Sequence, residues 1–338
     1  MRSPRSPHVA VALSITAVFS PLAAGCGSAT VGDLPLAAEP ARAPALTRPP
    51  IGRVVPVGNQ PEGIVADPRS GRVAVGLRDP DQLALLDSDS GRVVDRVPLP
   101  ESPRHLSFSE RDGIVLVPAE RADRLARVRT RDVARLGAVP VGAFPHDATS
   151  AGERLFVGDE RSNTVTVVED GRRLRSFPVA TQPGGLAALR DGDQVAVVSV
   201  RERAVELLDS ESLRRLGRVS AGVGPTHVVS EERFERLYVT DTRGGALLVF
   251  DTTPELELVR RVHLPGRPYG IAIDQERHRL WVTLTEFNQV VELPAHGRPH
   301  VLRRFPTPRQ PDTVAVDERT GRVFVTGRHA GVVQLLDP

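Results

Sequence analysis

The chain has 338 residues, 40% of them hydrophobic and 25% charged, with a single cysteine. That is enough apolar material for a large core and too little cysteine for a disulfide scaffold. All 44 basic residues are arginine, which excludes Schiff-base and phosphate-loop lysines, and one thiol excludes thiolate metal sites and iron–sulfur clusters.

Arg2 and Arg5 precede an uncharged, mostly apolar stretch from Val9 to Ala24, too short to span a bilayer and of the length of a secretory signal. The run Leu22-Ala23-Ala24-Gly25-Cys26 resembles a bacterial lipobox. Residues 1–25 are therefore expected to be a removed lipoprotein signal peptide, with Cys26 as the lipidation site. The mature protein would be secreted and lipid-anchored to the outer side of the cell membrane. Losing two arginines and no acid leaves basic and acidic residues equal in number, so no whole-molecule field attracts nucleic acid. Residues 26–50, rich in proline and alanine, read as an extended tether of roughly 3 Å per residue, about 75 Å at most.

From residue 51 a proline after a polar turn recurs at Pro61, Pro103, Pro145, Pro183, Pro225, Pro268 and Pro311, each followed by an apolar run. A sustained period of this size marks a propeller or a solenoid. Each unit reads as four short strands and no helix. In the last, Thr313–Val316, Arg322–Thr326 and Val332–Leu336 are β-branched runs separated by Gly and Asp turns. Glu120 to Arg135 has Leu125 and Val128 at helical spacing, but Asp123-Arg124-Leu125-Ala126 lies one period after Asp81-Gln82-Leu83-Ala84 and so belongs to a third strand. The chain stops after the third strand of the seventh unit, while Gly52–Val57 matches the fourth strands Gly91–Val97 and Leu256–Leu264. The predicted fold is all-β: a seven-bladed propeller of four-stranded blades over 51–338, whose last blade is closed by the N-terminal strand. Such closure removes exposed sheet edges.

Tyr238-Val239-Thr240-Asp241, with partial copies at Trp281-Val282-Thr283, Phe324-Val325-Thr326 and Phe156-Val157-Gly158-Asp159, resembles the signature of the YVTN-repeat β-propeller family. The resemblance covers 51–338 and implies seven blades. It does not choose among that family's binding proteins, lactone hydrolases and cofactor-carrying domains.

In a propeller, the loops leading into the inner strands and the second corner of each blade share one face around the channel. The pairs following the repeat prolines include Arg104-His105, His146-Asp147, Thr226-His227 and Tyr269-Gly270, and the corners add Asp241 and Arg243. Arg104, His105, His146, Asp147, His227, Asp241, Arg243 and Tyr269 are thus the candidate ligand-binding residues at the channel mouth. Imidazoles suit acid–base work and metal ligation because they titrate near neutral pH. Against convergence, the histidines lie on non-adjacent units, and alternation along a strand places His105 and His146 on opposite faces. Three readings stay open: binding of a small ligand or envelope protein, lactonase- or lyase-type chemistry with a divalent metal, and a merely hydrated funnel. No motif demands a cofactor, and no Gly-x-Ser-x-Gly elbow is present. Beyond the membrane and that ligand or protein partner, a monomer without nucleic acid is expected; aromatics are only 4% of the chain, too few for a base-stacking platform. Arginine pairs such as Arg214-Arg215, Arg260-Arg261 and Arg303-Arg304, read as the starts of outer strands, suit edge protection better than a surface for acidic polymers.

Overall fold

The computed structural model describes Met1, residues 39–109 and residues 113–338. Cys26, the expected signal peptide beyond Met1 and the first half of the expected tether lie outside the described residues. The rest is seven four-stranded antiparallel sheets. Blades 1 to 6 follow in sequence over 64–98, 107–140, 145–178, 183–220, 225–263 and 268–306, and blade 7 occupies 314–336. Strands are lettered A to D from the axis outward.

Blade 7 takes its outermost strand from the start of the domain. Arg53–Pro56 pairs antiparallel with Val332–Leu336, in a register running from Arg53 opposite Leu335 to Pro56 opposite Val332. Gln334 Nε2 donates to the Ile51 carbonyl at 2.6 Å and Val57 N to the Gly331 carbonyl at 2.9 Å, extending the seam at both ends. The expected third-strand identity of Arg124–Arg129 also holds; the helical spacing before it yields one 3₁₀ turn, Glu120–Ala122.

The core is divided among the gaps between blades. Val73, Val75 and Leu77 of blade 1 pack against Ala315, Phe324 and Val333 of blade 7. Equivalent clusters join blades 1 and 2, 2 and 3, 3 and 4, 4 and 5, 5 and 6, and 6 and 7. Because each sheet is covered on both faces, its middle strands are continuously apolar, like Val195-Ala196-Val197-Val198. Phe156, Tyr238, Trp281 and Phe324 of the B strands are among the largest buried side chains. Full burial of such a residue stabilises by roughly 1.5–3 kcal/mol.

Arginines of the D strands neutralise acids further in, two on the adjacent C strand and Asp241 at the end of a B strand. Arg215 meets the buried Glu206 at 2.8 Å, Arg303 meets Glu292 at 2.5 Å, and Arg261 meets Asp241 at 2.6 Å. Arg261 lies within its strand, Glu257–His263, rather than at the start that sequence spacing suggests.

Deleting residues 51–58 removes the fourth strand of blade 7 and bares the blade 1/blade 7 cluster, so cooperative thermal unfolding followed by circular dichroism should be abolished. Deleting residues 27–38 should leave the midpoint where it was. Retention of the parental midpoint by the first deletion would break the closure argument.

Candidate functional site

The seven A strands face the axis, and their first residues crowd it. A Cβ on Gly63 would lie 2.6 Å from the Arg104 carbonyl oxygen, and one on Gly270 2.5 Å from that of Asp312. Glycine in these places lets neighbouring backbones close into a neck, and the space left is filled by side chains from blades 2, 3 and 5. Alternation fails there, because the A strands of blades 3 to 6 slip register just after their prolines, at His146, Gly184-Gly185, Thr226-His227 and Tyr269-Gly270. A bulge re-aims the side chains beside it. His105 and His146, expected on opposite faces, are instead stacked with ring centroids 4.9 Å apart.

His105, His146 and His227 therefore meet. His227 Nε2 lies 3.0 Å from His105 Nε2, and its Nδ1 lies 3.1 Å from the Tyr269 carbonyl oxygen. The Tyr269 ring stands edge-on to His227 at 4.5 Å. His146 Nδ1 approaches Glu160 Oε2 at 3.2 Å. All three histidines are 7% exposed.

On the proline side of this cluster the channel is closed by an ion-pair network. Arg104 reaches Glu62 at 3.1 Å and Glu120 at 3.9 Å, Arg78 reaches Glu120 at 2.8 Å, and Arg328 lies 3.3 Å from Glu62 and 3.5 Å from Asp312. Residues 39–45 lie across the same end. Glu39 approaches Arg104 at 3.8 Å, Ala43 N donates to Gln310 Oε1 at 2.8 Å, and Asn288 Nδ2 donates to the Pro44 carbonyl at 3.0 Å. This part of the expected tether is docked on the ring, and Ala43 is buried.

On the other side lies a cavity of about 820 Å³ lined by all seven A strands. His105 and His227 form its floor and Asp147 part of its wall; Ser107, Thr149, Ser150 and Ser230 alternate with Phe108, Leu186, Val229, Ile271 and Ile273 above them. Asp191, Glu232 and Glu276 line its far end and are exposed, so it opens at the turns between strands A and B. The open end is thus opposite to the face expected from sequence. Asp241 lies elsewhere, accepting hydrogen bonds from Gly224 N at 2.7 Å and Gly244 N at 3.0 Å while pairing Arg261, and neither it nor Arg243 lines the cavity. Arg104 belongs to the closed end. Arg78, Glu160 and the acidic rim were not singled out in the sequence; the rim acids Asp191, Glu232 and Glu276 follow the A strands of blades 4 to 6 by two residues or fewer, a recurrence visible in the spacing.

Burial sets the protonation states. Desolvation, with the other imidazoles and Arg104 adding to it, pushes His105 well below its usual range and His227 to about 3, so both rings are neutral. Burial also raises Asp147 to about 6, although the Leu186 and Ala148 amides donate to its carboxylate. For Glu160 burial is outweighed by His146 and Arg104, and the value falls to about 2. Asp312 rises to about 7 through burial, against the hydrogen bond from Gln310. Neutral imidazoles at the end of a polar-walled cavity can exchange hydrogen bonds with a ligand or give lone pairs to a metal.

No family model and no curated protein matches the chain. Solved structures match throughout the ring. Hydrazine synthase of Kuenenia stuttgartiensis superposes with a TM-score of 0.73 at 15% identity, covering 82% of this chain and 95% of that one. A streptogramin B lyase gives 0.71 at 14%, covering 85% and 96%, and virginiamycin B lyase from Staphylococcus aureus gives 0.69 at 16%, covering 84% and 98%. Likeness at this identity shows the propeller fold.

Asp312 gives the closed end a pH dependence of definite sign. Its carboxyl binds a proton more tightly when folded, so it costs stability above about pH 7 and progressively less towards its unfolded value of roughly 4. Asp312→Asn should raise the unfolding midpoint over the parent at pH 8, with the gap shrinking by pH 5. A gap independent of pH would contradict the assignment.

Proposed function

We propose that the chain is an extracytoplasmic member of the YVTN-repeat propellers that binds a small ligand in its central cavity, reached from the end where strands A and B turn. The observation that carries this reading is the cavity of about 820 Å³ with His105 and His227 at its floor. That volume is ordinary for a small-molecule site, as is its mixture of apolar walls and a few directed polar groups. Asp191, Glu232, Glu276 and Glu318 around it repel anions; the ligand class is a neutral or cationic molecule with an apolar body and hydrogen-bonding oxygens. The A strands are fixed by two packed faces, so binding costs little ordering. Cys26 would carry the lipid that holds the protein to the membrane.

A second reading, lyase- or lactonase-type chemistry, is favoured by the two neutral imidazoles facing the cavity, where they can exchange protons with a bound ester. Two of the similar structures are lyases.

Thr149→Trp fills the cavity without touching the ion-pair network. Neutral lactones, esters and hydroxylated compounds screened by thermal shift should give binders whose calorimetric affinity falls at least tenfold in Thr149→Trp and is unchanged in Thr149→Ser. Binders indifferent to Thr149→Trp would place the site elsewhere, and turnover of a bound ester would favour the second reading. Cys26→Ala should release the protein from the membrane fraction into the medium; membrane retention of that variant would remove the lipid anchor.

A further inference from the structure

The hydrogen bonding of the three imidazoles is incomplete. His227 uses its Nδ1–H on the Tyr269 carbonyl, which leaves a lone pair on Nε2, and that lone pair points at His105 Nε2 3.0 Å away. Neither ring nitrogen of His146 makes a hydrogen bond although the residue is buried; Nδ1 only approaches Glu160. One ring nitrogen from each histidine lies within 4.8 Å of the others. A buried polar atom without a partner is unusual in a native protein and asks for a reason.

The geometry points to a transition-metal centre of the zinc class, held by His105, His146 and His227 and presenting its open coordination position to the cavity. Three protein nitrogens with one position left free is the donor arrangement of zinc sites that act on ligands, in contrast to the four filled positions of structural ones. Imidazole donors without thiolate suit zinc, copper or nickel rather than magnesium or calcium. Nitrogens sharing a tetrahedral zinc stand roughly 3.3 Å apart, given bonds of about 2.0–2.1 Å. The His105–His227 separation of 3.0 Å is already close to that, and the wider separation of up to 4.8 Å within the trio has to contract on binding.

The surroundings fit a cation. The Tyr269 carbonyl holds His227 and the Glu160 carboxylate faces His146 through the nitrogens turned away from the shared point, as outer partners of metal-bound histidines do. His105 and His227 line the cavity, so the free position faces a bound molecule. A ligand with a carbonyl or hydroxyl oxygen would complete the coordination. That last step rests on the cavity being the ligand site; metal uptake does not.

The full-length protein, stripped with a chelator and dialysed against cobalt(II), should retain one cobalt per chain. It should show the intense visible absorption of a tetrahedral centre, which one equivalent of zinc(II) abolishes. His146→Gln should weaken cobalt binding at least tenfold, and the pair His105→Ala with His227→Ala should lose it while keeping a cooperative unfolding transition. Should that double variant not fold, copper(II) bound to the parent protein is read by electron paramagnetic resonance, where couplings to three imidazole nitrogens are expected. Sub-stoichiometric cobalt, the weak absorption of an octahedral surface ion, or equal uptake by the folded double variant would overturn the centre. Cobalt bound as expected, in a protein whose small-molecule binders ignore Thr149→Trp, would support the centre and sink the cavity reading; the converse pattern would do the reverse.

Discussion

The constraint on which the molecule depends is the pairing of Arg53–Pro56 with Val332–Leu336. Those two strands lie at opposite ends of the domain, and joining them closes one large loop, whose entropic cost grows only slowly with length. What is gained is the seventh gap. With the seam made, Phe324, Val333 and Leu335 are covered by Val73, Val75 and Leu77, and every blade has a neighbour on both sides. Without it, two blades would each bare an apolar face and blade 7 would end in an unpaired edge at its third strand.

Closure also determines which side chains can meet. His105 and His227 are separated by 122 residues, yet their rings touch because both sit at the proline end of an A strand and all seven such ends converge. Convergence alone would crowd the axis. Gly63, Gly184, Gly185 and Gly270 relieve it, each placed where a Cβ would fall within about 3 Å of a neighbouring blade. The asymmetry of the site thus arises by omission at the second position after each proline, where His105, Asp147 and His227 in blades 2, 3 and 5 face glycine in blades 1, 4 and 6. The same convergence gathers Glu62, Arg78, Arg104, Glu120, Asp312 and Arg328 just beyond the histidines. Burying several charges together is tolerable because most of them are paired, and removing one partner from a buried pair costs roughly 3–5 kcal/mol; Asp312, raised to about 7 by burial, is the exception, since its pairing does not offset its desolvation.

Blade count, strand order and closure were legible because they are written as spacing: prolines at a steady interval, Gly and Asp turns, and an orphan strand at each end. The neck was legible in part. That His105, His146 and His227 lie on turns facing the axis followed from the repeat, but alternation along a strand misled as to their orientation, since the bulges at His146 and at Thr226-His227 depend on how inner strands bend at the axis. Asp241 looked like a mouth residue because it follows the Tyr238-Val239-Thr240 run; its carboxylate instead fastens Val223, Gly224 and Gly244. Which end of the channel is shut was not legible at all. Plugging needs charges from the adjacent blades 7, 1 and 2 to meet at the axis, and no local pattern encodes a meeting between blades.

The plug makes the central space a blind well. A molecule that reaches His105 and His227 has to leave by the rim it passed on the way in, past Asp191, Glu232 and Glu276. Since Glu39 to Ala45 cross the stopper, the rim looks away from the point where the chain joins the ring.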